Sequence, residues 1–315
     1  MRKNGELGAT AIGGVAVLLW SALALLTVQA GGGLPPFELL ALSFGIAFLA
    51  GLAMLGLRGR AALAELRQPL APWLLAFCGI FFYHALYFFA LSAVPAAQAS
   101  LIAYLWPLLI VLMAALLPGG ERLRARHLGG ALLGLAGTAL ILAARGGDGT
   151  TAGSVAGYAA SFGCAFVWSG YSVLNRRFAA TPASMLVGVC GAVAVAGAAC
   201  HLAFEATAWP RAEQWAAIIG LGVGPTGLAF LAWDHATKHG RLPLLGALSY
   251  LSPLLSTLLL IAAGKASASG PLLPAAVLVI GGALLATGLP ARRRQRARCA
   301  GAAGGSAGSA PPPAA

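Results

Sequence analysis

The sequence predicts an all-α membrane protein of ten transmembrane helices, built as two inverted five-helix repeats with both termini cytoplasmic. Three observations predict it. The 315 residues are 59% hydrophobic and only 9% charged, which is too apolar for soluble domains and fits a polytopic membrane protein. Lys and Arg are abundant in every second connection between apolar runs and scarce in the others. One proline-centred pattern occurs twice, 146 residues apart, as Tyr104-Leu105-Trp106-Pro107-Leu108-Leu109 and Tyr250-Leu251-Ser252-Pro253-Leu254-Leu255.

About 20 apolar residues cross roughly 30 Å of hydrocarbon at 1.5 Å per residue. Runs of that length fall at 10 to 30, 36 to 57, 72 to 93, 97 to 117, 126 to 144, 154 to 175, 183 to 204, 214 to 236, 242 to 263 and 271 to 290, here spans 1 to 10. Span 1 follows Arg2 and Lys3 and ends near Val28-Gln29-Ala30, the outline of a signal peptide. Its apolar run is long for that role, and removing it would unpair the repeat, so it is expected to remain in the mature protein.

The net charge is +12, yet the cations sit in short clusters between apolar runs, where they direct topology and do not form a nucleic-acid surface. The connections on the side of the N-terminus hold 17 of the 20 Lys and Arg; Arg145, Arg211 and Lys265 are the three on the other side. This asymmetry expects cytoplasmic N- and C-termini. The segment 292–315 opens with five arginines and continues as a Gly/Ala/Ser/Pro-rich stretch, expected to be a disordered cytoplasmic tail.

The repeat recurs at further points. Trp20-Ser21 in span 1 matches Trp168-Ser169 in span 6, and Gly130-Ala131-Leu132-Leu133 in span 5 matches Gly282-Ala283-Leu284-Leu285 in span 10. Five spans is an odd number, so the second copy enters the membrane in the opposite sense. That is the arrangement of secondary transporters, whose substrate site lies near the midplane between halves. Residues 1–148 and 149–291 are the expected repeats.

These residues carry a family likeness. The Trp-Ser pairs, Ala-Tyr-Leu-Trp-Pro-Leu-Leu in span 4 and Ser-Tyr-Leu-Ser-Pro-Leu-Leu-Ser in span 9 resemble the drug/metabolite transporter superfamily in its ten-helix EamA-type branch. FVWSGYSVLNRRF at 166 to 178, YLWPLLIVL at 104 to 112, and AWDHATKHG with the following LLGALSYLSPLLSTLLL are similar to the bacterial aromatic amino-acid exporters of that superfamily. The likeness covers about residues 8 to 290. Ala103 departs from it, standing where a polar residue such as Asn is expected. The resemblance implies a multi-pass protein of the bacterial inner membrane that exports aromatic and other neutral amino acids and related metabolites through a central cavity. It implies no cofactor, small amino acids and the lipid bilayer as partners, and a monomer or weak homodimer.

A zwitterion needs polar groups at membrane depth, where they are costly and face the bundle interior. Span 3 offers Tyr83, His84 and Tyr87, with His84 near mid-bilayer. Two roles stand for His84: donation to a substrate carboxylate or carriage of a proton, and a neutral ring satisfied by a nearby carbonyl. Span 6 offers Trp168, Ser169, Tyr171 and Ser172, a polar strip flanked by aromatics, against which stands close helix packing through the serines. Asn175 is expected at the membrane interface. Trp20, Tyr104, Trp233 and Tyr250 complete the expected substrate contacts, while Trp106 either lines the cavity or faces lipid. Pro107 and Pro253 are expected hinges, each freeing a carbonyl and bending its helix.

Asp234 precedes Lys238 by four residues, the favourable order for a helical ion pair, and an interfacial pair is expected in preference to a proton-coupling carboxylate. Glu38 is expected exposed or capping at the start of span 2. Gly220, Gly222 and Gly224 before Pro225 mark a closely packed, flexible stretch, and Gly130, Gly134, Gly281 and Gly282 permit close helix approach. The five cysteines show no CxxC and no histidine at ligand spacing, so no metal site is expected. Membrane hydrolases, metalloproteases and prenyl transferases lack their motifs here. A channel would need a charged ring or a carbonyl filter, and neither is legible.

Overall fold

The computed structural model describes residues 2–30, 33–116, 123–144, 154–267 and 270–287. The tail, the arginine cluster before it, Cys299, Arg122 and Arg145 lie outside the described residues. All regular structure among the described residues is helical. In chain order the helices are α1 (Gly5–Gln29), α2 (Pro36–Arg58), α3 (Leu70–Ala93), α4 (Gln98–Ala114), α5 (Ala125–Ala143), α6 (Val155–Leu174), α7 (Met185–Phe204), α8 (Ala212–His239), α9 (Leu242–Ala262) and α10 (Leu272–Ala286). Among the described residues, α1, α2, α3, α5, α7, α8 and α9 are long and apolar enough to cross a membrane, and α4 and α10 are shorter apolar helices. The remaining one, α6, is 20 residues long and interleaves its apolar positions with Ser161, Ser169 and Ser172.

Local chemistry sets the boundaries. Pro36 opens α2 with its missing N–H at a position that needs none, and Gly59 closes it at φ 95°, a conformation glycine reaches without a Cβ clash. Ser154 caps α6, its Oγ accepting from the Gly157 N–H at 3.0 Å. The α2 N-terminus is capped from across the chain. Phe37 and Glu38 N–H donate to the two carboxylate oxygens of Glu205 at 3.0 and 3.1 Å, and anionic charge is favoured there. Glu38, expected exposed or capping, is instead buried and accepts from the Ala208 N–H at 2.9 Å, while His201 Nδ1 lies 2.9 Å from Glu205.

Among the described residues four helices are irregular: α1 is interrupted at Ala22, and the other three at a proline. The α4 rod is interrupted at Tyr104–Leu105 and the α9 rod at Tyr250, just upstream of Pro107 and Pro253, because a proline ring crowds the carbonyl one turn back. In α8 the stretch Gly222–Leu228 widens into a π-helical turn containing Pro225, which absorbs the missing N–H without ending the helix.

The most extensive helix contacts pair α5 with α10, α1 with α8, α2 with α7 and α3 with α6; α4 packs on α6 and, less extensively, on α9, and α1 also packs on α9. The α5–α10 crossing is closest at Gly130 and Gly282. A Cβ on Gly130 would stand 2.5 Å from the Gly282 carbonyl oxygen, and a Cβ on Gly282 would stand 2.5 Å from that of Gly130. Small residues buy this backbone approach, here within one chain. Gly281, grouped with them on sequence, meets no neighbour within 4 Å.

Candidate functional site

A cavity of about 270 Å³ lies at the centre of the bundle. Its wall is drawn from α1, α3, α4, α5, α6, α8 and α9, in the halves of the helices that lead toward the α3–α4 connection. Tyr83, His84 and Tyr87 come from consecutive turns of α3. The Tyr83 and Tyr87 rings stack with centroids 6.0 Å apart and planes 14° apart, and the Tyr87 hydroxyl sits 2.9 Å from Ser100 Oγ of α4. Ser252 and Ser256 of α9 and Thr226 of α8 add hydroxyls. Among the described residues, no Asp, Glu, Lys or Arg lines the cavity.

Tryptophans form the inner end. Trp20, Trp106 and Trp168 line the cavity, and Trp233 lies behind them, fully buried. Its centroid is 5.1 Å from that of Trp20, 5.7 Å from Trp106 and 6.3 Å from Trp168. Trp20 Nε1–H donates to the Pro225 carbonyl at 3.0 Å, using a carbonyl of the widened turn, and Trp233 Nε1–H donates to Ser172 Oγ at 3.0 Å. Buried indoles thus keep their single donors satisfied.

His84 Nδ1 is 2.7 Å from the Ile80 carbonyl oxygen. A carbonyl only accepts, so Nδ1 carries the proton, and in the neutral ring Nε2 is the acceptor. The ring packs against Phe44, Tyr83 and Phe88 at centroid distances of 5.3 to 6.0 Å. With that bond in place a neutral His84 offers Nε2 to the cavity as an acceptor, to which an N–H is the complementary group.

Beyond the tryptophans, at the opposite end from the cavity, lies a polar network whose centre, Asn175, Asp234, Thr237 and Lys238, is buried. Asp234 and Lys238 pair at 2.8 Å with side chains 0% and 1% exposed. Asn175 Nδ2 donates to Asp234 Oδ1 at 2.9 Å and to Thr237 Oγ1 at 3.0 Å, and Lys238 Nζ donates to the Thr181 carbonyl at 2.9 Å. Arg176 bonds the Gly240 carbonyl, and the Arg241 N–H donates to Thr10 Oγ1 at 3.0 Å. The ends of α1, α6 and α8 are joined there.

Comparison with known proteins gives this geometry a family. The model of the EamA-like transporter family matches residues 9–143. A protein of Ancylobacter novellus named aromatic amino acid exporter YddG is 51% identical over 286 residues, which is 90% of this chain and 98% of that protein. The chain belongs to the EamA-like transporter family. It is a multi-pass protein of the bacterial inner membrane and a transporter, not an enzyme. The Escherichia coli protein of the same name is 27% identical, over 88% of this chain and 96% of its own length. One solved crystal structure superposes with a TM-score of 0.84 at 50% identity, over 90% of this chain and 98% of its own.

On this EamA-family scaffold the residues singled out from sequence divide into two groups. Trp20, Tyr83, His84, Tyr87, Tyr104, Trp168 and Pro253 stand on the cavity wall. Ser169, Tyr171, Ser172, Trp233, Tyr250 and Pro107 are buried away from it. Ser169 Oγ donates to the Ala165 carbonyl at 2.7 Å and lies 2.9 Å from the Trp106 carbonyl, so it serves the α4–α6 contact. Asn175 and Asp234, expected near the interface, are both inside the protein; their mutual hydrogen bonds make that burial tolerable. Trp106 faces the cavity and not lipid. Ala103 also lines the wall. Sequence reasoning missed Phe230, Pro225, Thr226, Ser100 and Ser256. Phe230 was within reach, since it precedes Trp233 by three residues and so shares its helix face. The others depend on where the widened turn and the α4 break aim the chain.

Proposed function

We propose that this chain exports neutral amino acids, aromatic ones among them, and related metabolites by alternating access across the inner membrane. The observation that carries the reading is the central cavity, with aromatic faces, hydroxyl and imidazole tips and no formal charge on its wall. Such a wall fits an overall neutral zwitterion with an apolar side chain, whose ring stacks on Tyr83, Tyr87 or Trp168 while its ammonium meets His84 Nε2 and hydroxyls. The names of the relatives support the same substrate class.

The ten helices act as ten spans in two inverted repeats, residues 1–148 and 149–291, with cytoplasmic termini. Three helix pairs join matching members of the two halves, α2 with α7, α4 with α9 and α5 with α10, while α1–α8 exchanges with α3–α6 and α4–α6 with α9–α1 under the same operation. The mutual approach of Gly130 and Gly282, matched positions of the repeat, supports it. In this reading the cavity opens to the outer side, the tryptophans form its floor, and the Asn175–Asp234–Lys238 network closes the cytoplasmic side. Pro107 and Pro253 are hinges at the two helix breaks. With no carboxylate on the wall, flux follows the substrate gradient.

Purified protein in liposomes loaded with labelled phenylalanine tests this. Saturable efflux competed by neutral amino acids is expected, with His84→Ala and Tyr87→Ala lowering flux at unchanged expression. Non-saturable leak, or wild-type rates in both variants, would remove the proposed site.

A further inference from the structure

A second cavity, of about 200 Å³, lies between α2, α7 and α8, with a mostly apolar lining that includes Ala47, Ala50, Met54, Val223, Gly227 and Leu228. We infer that it is a binding site for one acyl chain of an anionic phospholipid, whose phosphate is held at Arg58. Among the described residues, the groove is lined by no charged, hydroxyl or amide side chain, so an amino acid there would leave its ammonium and carboxylate unsatisfied. Met54, Val223 and Leu228 are each more than a third exposed, so the groove meets the hydrocarbon around the protein.

The headgroup follows from the helix register. Ala47, Ala50, Met54 and Arg58 are spaced by three, four and four residues and form one stripe along α2. The stripe runs out of the groove to a guanidinium that is 56% exposed. Arg60 and Arg67 are also exposed in the same connection. The carboxylate there is Glu65, which stands 3.9 Å from Arg58 and is bonded by Ser184 Oγ. The rim is therefore net cationic, and juxtamembrane arginines beside an apolar slot suit a lipid phosphate.

The site has a mechanical consequence, which rests on the transport reading above. The widened turn Gly222–Leu228 is shared by both cavities. Val223, Gly227 and Leu228 face the groove, while Pro225 and Thr226 face the central cavity, where the Pro225 carbonyl holds Trp20. An acyl chain seated behind the turn braces it against the main cavity.

Native mass spectrometry of the delipidated full chain, with dioleoyl phosphatidylglycerol or phosphatidylcholine added, tests the site independently of transport. Retention of phosphatidylglycerol should exceed that of phosphatidylcholine several-fold. Arg58→Gln should erase the difference. Ala50→Trp, which fills the groove from a lipid-exposed position, should lower retention of both lipids, whereas Leu57→Trp, at a position 92% exposed, should change neither. Equal retention of the two lipids by the unmodified protein, or unchanged retention in Ala50→Trp, overturns the proposal. In phosphatidylcholine vesicles the unmodified chain should transport several-fold faster once phosphatidylglycerol is included, and Ala50→Trp should not respond. A lipid effect absent while saturable phenylalanine efflux persists defeats the brace and leaves the transport reading intact.

Discussion

Substituting Asn175 tests the proposed cytoplasmic gate most sharply. Its side-chain amide bridges from the end of α6 to Asp234 and Thr237 of α8, at 2.9 and 3.0 Å and in full burial. Asn175→Ala removes both bonds and leaves a buried carboxylate with one donor fewer, a loss of about 1–3 kcal/mol. If these bonds exist only while the cytoplasmic side is closed, that energy shifts the open–closed equilibrium by about 5–150-fold. Asp234→Leu goes further, stranding the Lys238 ammonium at 1% exposure, a cost of about 3–5 kcal/mol. Asp234→Leu with Lys238→Met should recover much of that, because the charges leave together. Spin labels at the exposed positions Ala179 and His239 on a cysteine-free background read the separation. The unmodified chain should show one short distance, Asn175→Ala a second, longer one, and the double variant less of the long population than Asp234→Leu alone. An unchanged distribution in a well-folded Asn175→Ala protein, or a double variant as perturbed as the single, would refute the gate.

Pro107→Ala and Pro253→Ala should slow exchange several-fold while leaving substrate affinity within about twofold, checked by rate and competition in the same liposomes; full rates in both would reduce the prolines to packing. An imposed pH gradient should not accelerate phenylalanine flux, since among the described residues no carboxylate lines the cavity, His84 Nδ1 is bonded to the Ile80 carbonyl and Asp234 is held in its ion pair; proton-driven accumulation would disprove uncoupled transport. Gly130→Ala forces a methyl to within 2.5 Å of the Gly282 carbonyl, and overpacking of this kind costs about 1–3 kcal/mol. It should lower the midpoint of thermal unfolding in detergent, while Gly281→Ala, with open space around it, should not; equal midpoints would contradict the crossing.

Membrane class, the positions of the apolar runs and most of the cavity's aromatic groups were legible in the linear sequence. Hydrocarbon demands long apolar runs with paired backbone groups, and polar residues inside such runs must face inward. These two constraints act on local stretches of chain, so Tyr83, His84, Tyr87 and Trp168 could be picked out by depth alone. Depth does not say which neighbour a buried polar group meets. Ser172 and Trp233 sit at cavity depth, yet they bond each other behind the wall, and Asn175 and Asp234 sit near helix ends, yet they are sealed inside by partners 59 residues apart.

The sequence by itself determined a multi-pass helical protein with proline-broken helices and most of the aromatic groups of its cavity, because hydrophobicity and proline geometry are properties of short segments. Only the tertiary structure decided which of those groups share one cavity, that four tryptophans pack at its inner end, mostly edge to face, and that a widened turn at Pro225 lies between this cavity and a second, apolar one. Those outcomes depend on how helices far apart in the chain cross, and a crossing is set by close packing between surfaces that no single segment encodes.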